Sequence, residues 1–190
     1  MSESMEKAHE TMHGEHQAHS DPWARGVAVL VSFLAAGLAL AQIGGKAAQN
    51  AYLTHHIAVS DDWAFYQAKN VRQVVRGTEA TMLESLPNAS DPAIQARVKE
   101  AREYQARMRD DPKAGDGMKQ LSEKAKQQTQ DRDHAFHLYH YYEYTVGALE
   151  IAIVLASVSV ITRMKPMTIG AGLFGLAAGL FGIAVALGWV

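Results

Sequence analysis

Residues 26–45 read GVAVLVSFLAAGLALAQIGG, a run of 20 residues without a charged side chain. Two further apolar stretches follow, VGALEIAIVLASVSVIT at residues 146–162 and TIGAGLFGLAAGLFGIAVALGWV at residues 168–190. A helix that rises 1.5 Å per residue needs about 20 apolar residues to cross the roughly 30 Å hydrocarbon core of a bilayer. The three stretches therefore predict three transmembrane helices, and their first partner is the lipid bilayer.

The segment before the first span is polar and rich in His and Glu, and it forms a predicted amino-terminal tail at residues 1–25. The sequence Ala39-Leu40-Ala41 resembles a signal-peptide cleavage site. A signal peptide has a short basic segment and a shorter apolar core, so we expect the first span to be an uncleaved anchor.

The composition excludes several classes of function. The net charge is −2, and Lys and Arg are interleaved with Asp and Glu, so no basic face for nucleic acid is expected. With no cysteine, the chain has no disulfide, no Cys-ligated metal and no thiol nucleophile. No Walker loop, dinucleotide fingerprint, His-Glu-x-x-His or nucleophile elbow is found, so the sequence does not predict an enzyme.

The polar insertion at residues 46–145 has a strongly helical composition, rich in Ala, Glu, Lys, Gln and Arg. Turn residues divide it at 87–92 and at 110–117. We therefore predict an outgoing arm over about 46–86, a short helix over 92–109 and a returning arm over 118–145. The predicted fold class is an all-α membrane protein with three transmembrane helices and a long extramembrane helical hairpin, or stalk, between the first and second.

Two features of the sequence predict that helices associate. A modest apolar stripe on the outgoing arm has coiled-coil spacing, and it is too thin to stabilise a lone hairpin, so we expect arms of several copies to share a core. The stripe contains Ile57, Ala64, Val71, Val74, Thr78 and Leu83. Trp63 and Tyr66 are expected to pack in the stalk core or to contact a partner.

Small residues recur at every fourth position in all three spans, which lets helix backbones approach closely in a bilayer. They are Gly37, Ala41 and Gly45 in the first span, Ala148, Ala152 and Ala156 in the second, and Gly175 and Gly179 in the third. We predict that these residues form association faces. The alternative is that alanine and glycine are simply common in such spans.

The nine histidines fall into three groups. The group in the amino-terminal tail, His9, His13, His16 and His19, suits a solvated tail or a metal buffer. The second group is His55 and His56 on the outgoing arm, and the third is His134, His137 and His140 on the returning arm. His55 and His56 lie at the same predicted height as His134 and His137. Converging imidazoles there would bind a divalent transition metal or respond to acid pH, and the alternative is two unrelated polar patches.

Glu150 is the ionisable residue within a predicted span. Charges inside a membrane are costly and tend to face a bundle interior, a water-filled cavity or another subunit. Two interpretations stay open, a proton- or cation-handling carboxylate and a hydrated carboxylate about one turn below the interface.

The segment DDWAFYQAKNVRQ at residues 61–73, together with the His- and Glu-bearing amino terminus and Thr162-Arg163-Met164-Lys165, resembles the bacterial family catalogued as domain of unknown function 4337. The resemblance covers nearly the whole chain. It implies a three-span inner-membrane protein with a helical insertion, and it supplies no activity.

Orientation follows from the short connection at residues 163–167, which carries Arg163 and Lys165. Short basic loops remain in the cytoplasm, so this loop and the amino terminus are predicted to be cytoplasmic and residues 46–145 periplasmic. The predicted function is an oligomeric scaffold or an accessory subunit of a larger membrane complex. The alternative is a cation- or metal-responsive channel, transporter or sensor.

Overall fold

A computed structural model of the chain describes residues 22–189. Within that range the protein has four helices and no strand: α1 (Pro22–Glu84), α2 (Pro92–Arg109), α3 (Met118–Thr162) and α4 (Lys165–Ala186). The first helix is 63 residues long and unbroken, so the first apolar stretch and the outgoing arm are one helix and not a hairpin. Three helices, α1, α3 and α4, are long and apolar enough to cross a membrane.

Local chemistry explains where the helices begin and end. Asp91 caps α2 by accepting a hydrogen bond from the Ala93 backbone N–H at 2.8 Å, and Pro92 occupies the first turn, where no N–H is needed. Two residues connect α3 to α4, and the first of them, Arg163, has a positive φ of 53°. A left-handed residue at this position ends a helix abruptly and reverses the chain.

The chain divides into two compact units. The first, here called the span unit, comprises residues up to Ala48 and from Leu138 onwards, and its described part contains portions of α1 and α3 and all of α4. The second, here called the insertion unit, is Gln49–His137.

Three helices of the span unit pack through a repeat that alternates three and four residues. This repeat is typical of helices that cross at a shallow angle, because it keeps one face towards the neighbour. The buried residues of this unit on α1 include Val27, Leu34, Ala41, Gly45 and Ala48; on α3 they include Thr145, Leu149, Ala152, Ala156 and Ser159; on α4 they include Ala171, Gly175, Ala178 and Val185. The Ser159 and Thr168 hydroxyls, 2.8 Å apart, link α3 to α4 next to their connection.

The insertion unit packs the second part of α1 against α2 and the first part of α3. Ala80 on α1 and Ala101 on α2 are both buried, and Arg102 of α2 donates to the Glu84 carboxylate at 2.7 Å. On α3 the buried residues Leu121, Ala125 and Ala135 lie on one face. The core of this unit is therefore built largely from alanines, which bring the helices close together but bury little apolar area.

Candidate interaction surfaces and polar sites

The predicted small residues of the span unit lie in different environments. Ala152 and Ala156 are fully buried, Ala41 is 7 % exposed, and Ala148 packs at the edge of the same core. A Cβ added at Gly37 would meet Leu149 at 3.9 Å, which is ordinary contact. A Cβ added at Gly45 would lie 3.3 Å from the Tyr142 Cβ, so this backbone approach is tighter.

The closest approach at a predicted glycine is at Gly175. A Cβ there would overlap the Leu34 side chain and lie 3.2 Å from the Ala152 Cβ, so α4 contacts both α1 and α3 at this point. A Cβ at Gly179 would meet no atom within 4 Å. The two glycines of Gly175-x-x-x-Gly179 therefore have different surroundings.

Two further glycines, which the sequence analysis did not single out, make close contacts. A Cβ at Gly44 would lie 2.6 Å from the Tyr142 ring, and one at Gly182 would lie 2.8 Å from the Thr145 Cγ2. Gly182 follows Gly175 by seven residues, which is the period of the buried face of α4. A search for a seven-residue repeat, instead of a four-residue one, would have found it.

The histidines of the insertion unit do not form a cluster. His55 Nδ1 lies 2.6 Å from the Gln128 Oε1, and His56 stacks on Tyr52 with ring centroids 5.8 Å apart. His134 and His137 are exposed on α3. Within residues 22–189, no three His, Cys, Asp or Glu side chains lie together in a way that would hold a metal ion.

Three polar contacts join α1 to the returning chain in the insertion unit, and their α1 residues repeat every seven positions. His55 pairs with Gln128, Asp62 Oδ1 accepts from Lys124 Nζ at 2.8 Å, and Lys69 Nζ lies 2.8 Å from Asp116 Oδ2. We call this set the inner polar face.

Asp62 is the most buried charged group of this face. Its side chain is 4 % exposed, whereas that of Lys124 is 60 % exposed. The second carboxylate oxygen, Oδ2, is buried and accepts no hydrogen bond from any residue in the described range 22–189. A buried acceptor without a partner costs about 1–3 kcal/mol, so among the described residues Lys124 alone compensates this carboxylate.

The opposite side of α1 is apolar and faces away from the rest of the insertion unit. Val71, Val75 and Met82 are 62 %, 58 % and 65 % exposed. We call this side of α1 the outer face. Its residues are spaced alternately four and three positions apart, and they are Ala64, Ala68, Val71, Val75, Thr78 and Met82. The predicted apolar stripe therefore does not pack in the core of the insertion unit. The polar side of α1 faces that core instead.

Trp63 and Tyr66 lie outside this face, because Tyr66 follows the buried Asp62 by one helical turn and is itself half-buried on the inner side of α1. The Trp63 and Tyr66 rings pack edge to face with centroids 5.3 Å apart, and Trp63 remains 39 % exposed. An apolar groove of about 580 Å³, lined by residues that include Val74, Leu83 and Arg97, runs along the outer face near Met82. This groove widens the apolar surface that the insertion unit presents.

Glu150 on α3 is exposed and points away from the core of the span unit, next to the buried Leu149. It lies in the 146–162 stretch, about one helical turn from its start. The structure therefore places this carboxylate on the outward surface of the unit, where a second subunit, lipid headgroups or water would meet it.

Glu143, just before that stretch, has two partners in the same turn. The Tyr139 hydroxyl donates to one carboxylate oxygen at 2.6 Å, and His140 Nδ1 lies 2.8 Å from the other. The hydrogen bond from Tyr139 and then that from His140 lower the pKa of Glu143, and the Glu143 bond raises the pKa of Tyr139. The stabilisation from this contact is fully present above the ordinary pKa of a glutamate carboxylate. It is lost as the pH falls through the lowered pKa of Glu143.

The predicted metal buffer of His9, His13, His16 and His19 lies outside the described residues.

Together these features define a class of protein: over residues 22–189 it is all-helical, with three helices long and apolar enough to cross a membrane and with a helical unit inserted in sequence between the first two apolar stretches. A family model described as Domain of unknown function (DUF4337) matches residues 23–188. The chain belongs to this family. No curated protein and no solved structure matches the chain.

Proposed function

We propose that this protein is a bacterial inner-membrane scaffold, or an accessory subunit of a larger membrane complex, that works by assembling with other subunits. Residues 26–45, 146–162 and 168–190 span the bilayer, with the amino terminus in the cytoplasm. The helical insertion at residues 46–145 forms a stalk in the periplasm.

The observation that carries the proposal is the outer face of α1. In a helix of a water-exposed unit, the apolar side normally faces the core and the polar side faces solvent. Here the polar side faces α3 and the apolar side is open, with Val71, Val75 and Met82 each more than half exposed. Covering these three side chains would contribute about 1 kcal/mol each, which favours another subunit on this face.

The span unit supports the same proposal. The outward carboxylate of Glu150 lies within the second apolar stretch, about one helical turn from its start, where a neighbouring subunit would pair with it. An apolar groove of about 670 Å³ also runs between α1 and α4, with Phe33, Gly172 and Leu176 among its lining residues. Both features suit contact with neighbouring helices in the bilayer.

Mass measurement of the full chain, purified in a mild detergent, tests this proposal. We expect a mass corresponding to several copies, or to one or more copies with foreign subunits, after the detergent contribution is subtracted. Metal analysis of the same sample separates the alternative, because a homo-oligomer with stoichiometric metal would favour a metal-responsive channel or sensor. A single copy, both in detergent and after cross-linking in native membranes, would contradict the proposal.

A further inference from the structure

We infer that the outer face of α1 binds the same face of a second copy of this chain, with the two helices parallel and in register. This inference rests on the proposed function, because it names the partner for a surface through which the protein is proposed to assemble.

The spacing of the outer face specifies the shape of its partner. From Ala64 to Met82 the residues alternate four, three, four, three and four positions, which is the repeat by which one helix packs its side chains between those of another. This face is about 27 Å long at 1.5 Å per residue. Its partner is therefore a straight helix with the same repeat.

The charges bordering the face are compatible with a second copy. In a parallel pair, Arg72 of one helix would lie opposite Gln67 of the other, and Glu79 opposite Val74, so no like charges meet. Arg76 and Glu79 already form an ion pair at 2.7 Å within each chain. Asp61, one turn before Ala64, is the charged residue that ends the apolar run, since two such carboxylates facing each other would repel.

The other helices of the insertion unit offer no matching surface among the described residues. The exposed positions of α2 include Arg97, Lys99, Glu100 and Arg107, and those of α3 include Glu123, Lys126, Asp133 and His134. An apolar repeat of this length is exposed on α1 alone among these helices, so copies associate through α1. Each α1 also carries the first apolar stretch, so copies inserted in the same way run their α1 helices in the same direction.

Cysteine cross-linking tests this pairing, because the natural chain has no cysteine. In a parallel, in-register pair each outer-face residue lies opposite its own counterpart, within the short distance that a disulfide requires. Single-cysteine variants of the full chain, Ala68→Cys, Val71→Cys and Val75→Cys, are oxidised in native membranes and the dimer fraction is measured. The matched control is Asn70→Cys, which is exposed at the same height but on another side of α1.

We expect all three outer-face variants to give at least about tenfold more disulfide dimer than Asn70→Cys. Equal cross-linking of the control, cross-linking at one position alone, or no cross-linking at the three outer-face positions would overturn the inference. If the mass measurement shows an assembly while these cysteines stay unlinked, the proposed function holds and the second copy is wrong as the partner. A mass corresponding to a single copy would instead contradict both the proposed function and the pairing with a second copy.

A second variant keeps the test independent of disulfide chemistry. Val71→Glu with Val75→Glu should reduce the purified mass to that of fewer copies while the thermal melting of the helices is retained, since both side chains are exposed in the single chain. Asn70→Glu should leave the mass unchanged. An unchanged mass in the double variant would also overturn the inference.

Discussion

Replacing Gly175 with leucine is expected to lower the stability of the span unit by about 3 kcal/mol or to prevent its folding, because overpacking of a closely packed core costs roughly that much. A Cβ at this position already overlaps Leu34 and lies 3.2 Å from Ala152, so a leucine side chain has no room without moving α4 away from α1 and α3. The measurement is the thermal melting of the full chain in detergent, followed by circular dichroism.

Two further variants make this result specific. Gly170→Leu is the matched control on the same helix, since a Cβ there meets nothing within 4 Å, and it should leave the melting temperature nearly unchanged. The double variant with Gly175→Ala and Leu34→Ala should have a higher melting temperature than the sum of the two single losses predicts. The shorter side chain at position 34 leaves room for the added Cβ. If Gly175→Leu has the same melting temperature as Gly170→Leu, the packing described for α4 is wrong.

Removing the ammonium group of Lys124 is expected to destabilise the insertion unit by about 2–3 kcal/mol. Lys124→Met leaves the buried Asp62 carboxylate without the partner that it has among residues 22–189, and an uncompensated buried charge is far more costly than a lost surface pair. Thermal melting and resistance to a protease, both measured on the full chain, report the loss.

A double-mutant cycle shows whether the charge is responsible. Asp62→Leu combined with Lys124→Met removes both charges, and it should recover most of the stability, as is found when buried ion pairs are replaced by apolar residues. Lys99→Met breaks the exposed pair with Glu103, whose atoms are 4.0 Å apart, and should change stability by less than about 0.5 kcal/mol. Equal effects of Lys124→Met and Lys99→Met would show that Asp62 does not depend on this contact.

The sequence predicts the helices of this protein well, because their signals are local. Three long apolar runs mark the helices able to cross a membrane, and Asp91 with Pro92 marks the start of α2. The turn residues at 87–92 and 110–117 lie in the connections before and after α2. Each of these features depends on a few neighbouring residues and not on contacts made far along the chain.

The inner face of α1 is harder to predict from the sequence. Polar residues repeat along one side of this helix and apolar residues repeat along the other. The usual rule places the apolar side inside. The structure places His55, Asp62 and Lys69 inside, because each finds a polar partner on the returning chain. Such pairings depend on the alignment of distant segments, which the sequence of one chain does not reveal.

The histidines illustrate the same limit. Counting residues from the ends of the spans placed His55 level with His134 and His137. In the structure Gln128 is the partner of His55, and Phe136 packs on Tyr52 with centroids 5.3 Å apart. A few residues of slip between two long helices are enough to separate side chains that a count of heights brings together.

The proposed topology is tested most directly by the accessibility of single cysteines in intact cells. Asn88→Cys lies in the turn between α1 and α2, Met164→Cys lies between α3 and α4, and Leu40→Cys is an exposed position in the first apolar stretch. A maleimide that does not cross the inner membrane should label Asn88→Cys directly, Met164→Cys only after the membrane is opened, and Leu40→Cys in neither case. Labelling of Leu40→Cys, or equal labelling of Asn88→Cys and Met164→Cys in intact cells, would contradict a three-span protein with a periplasmic insertion.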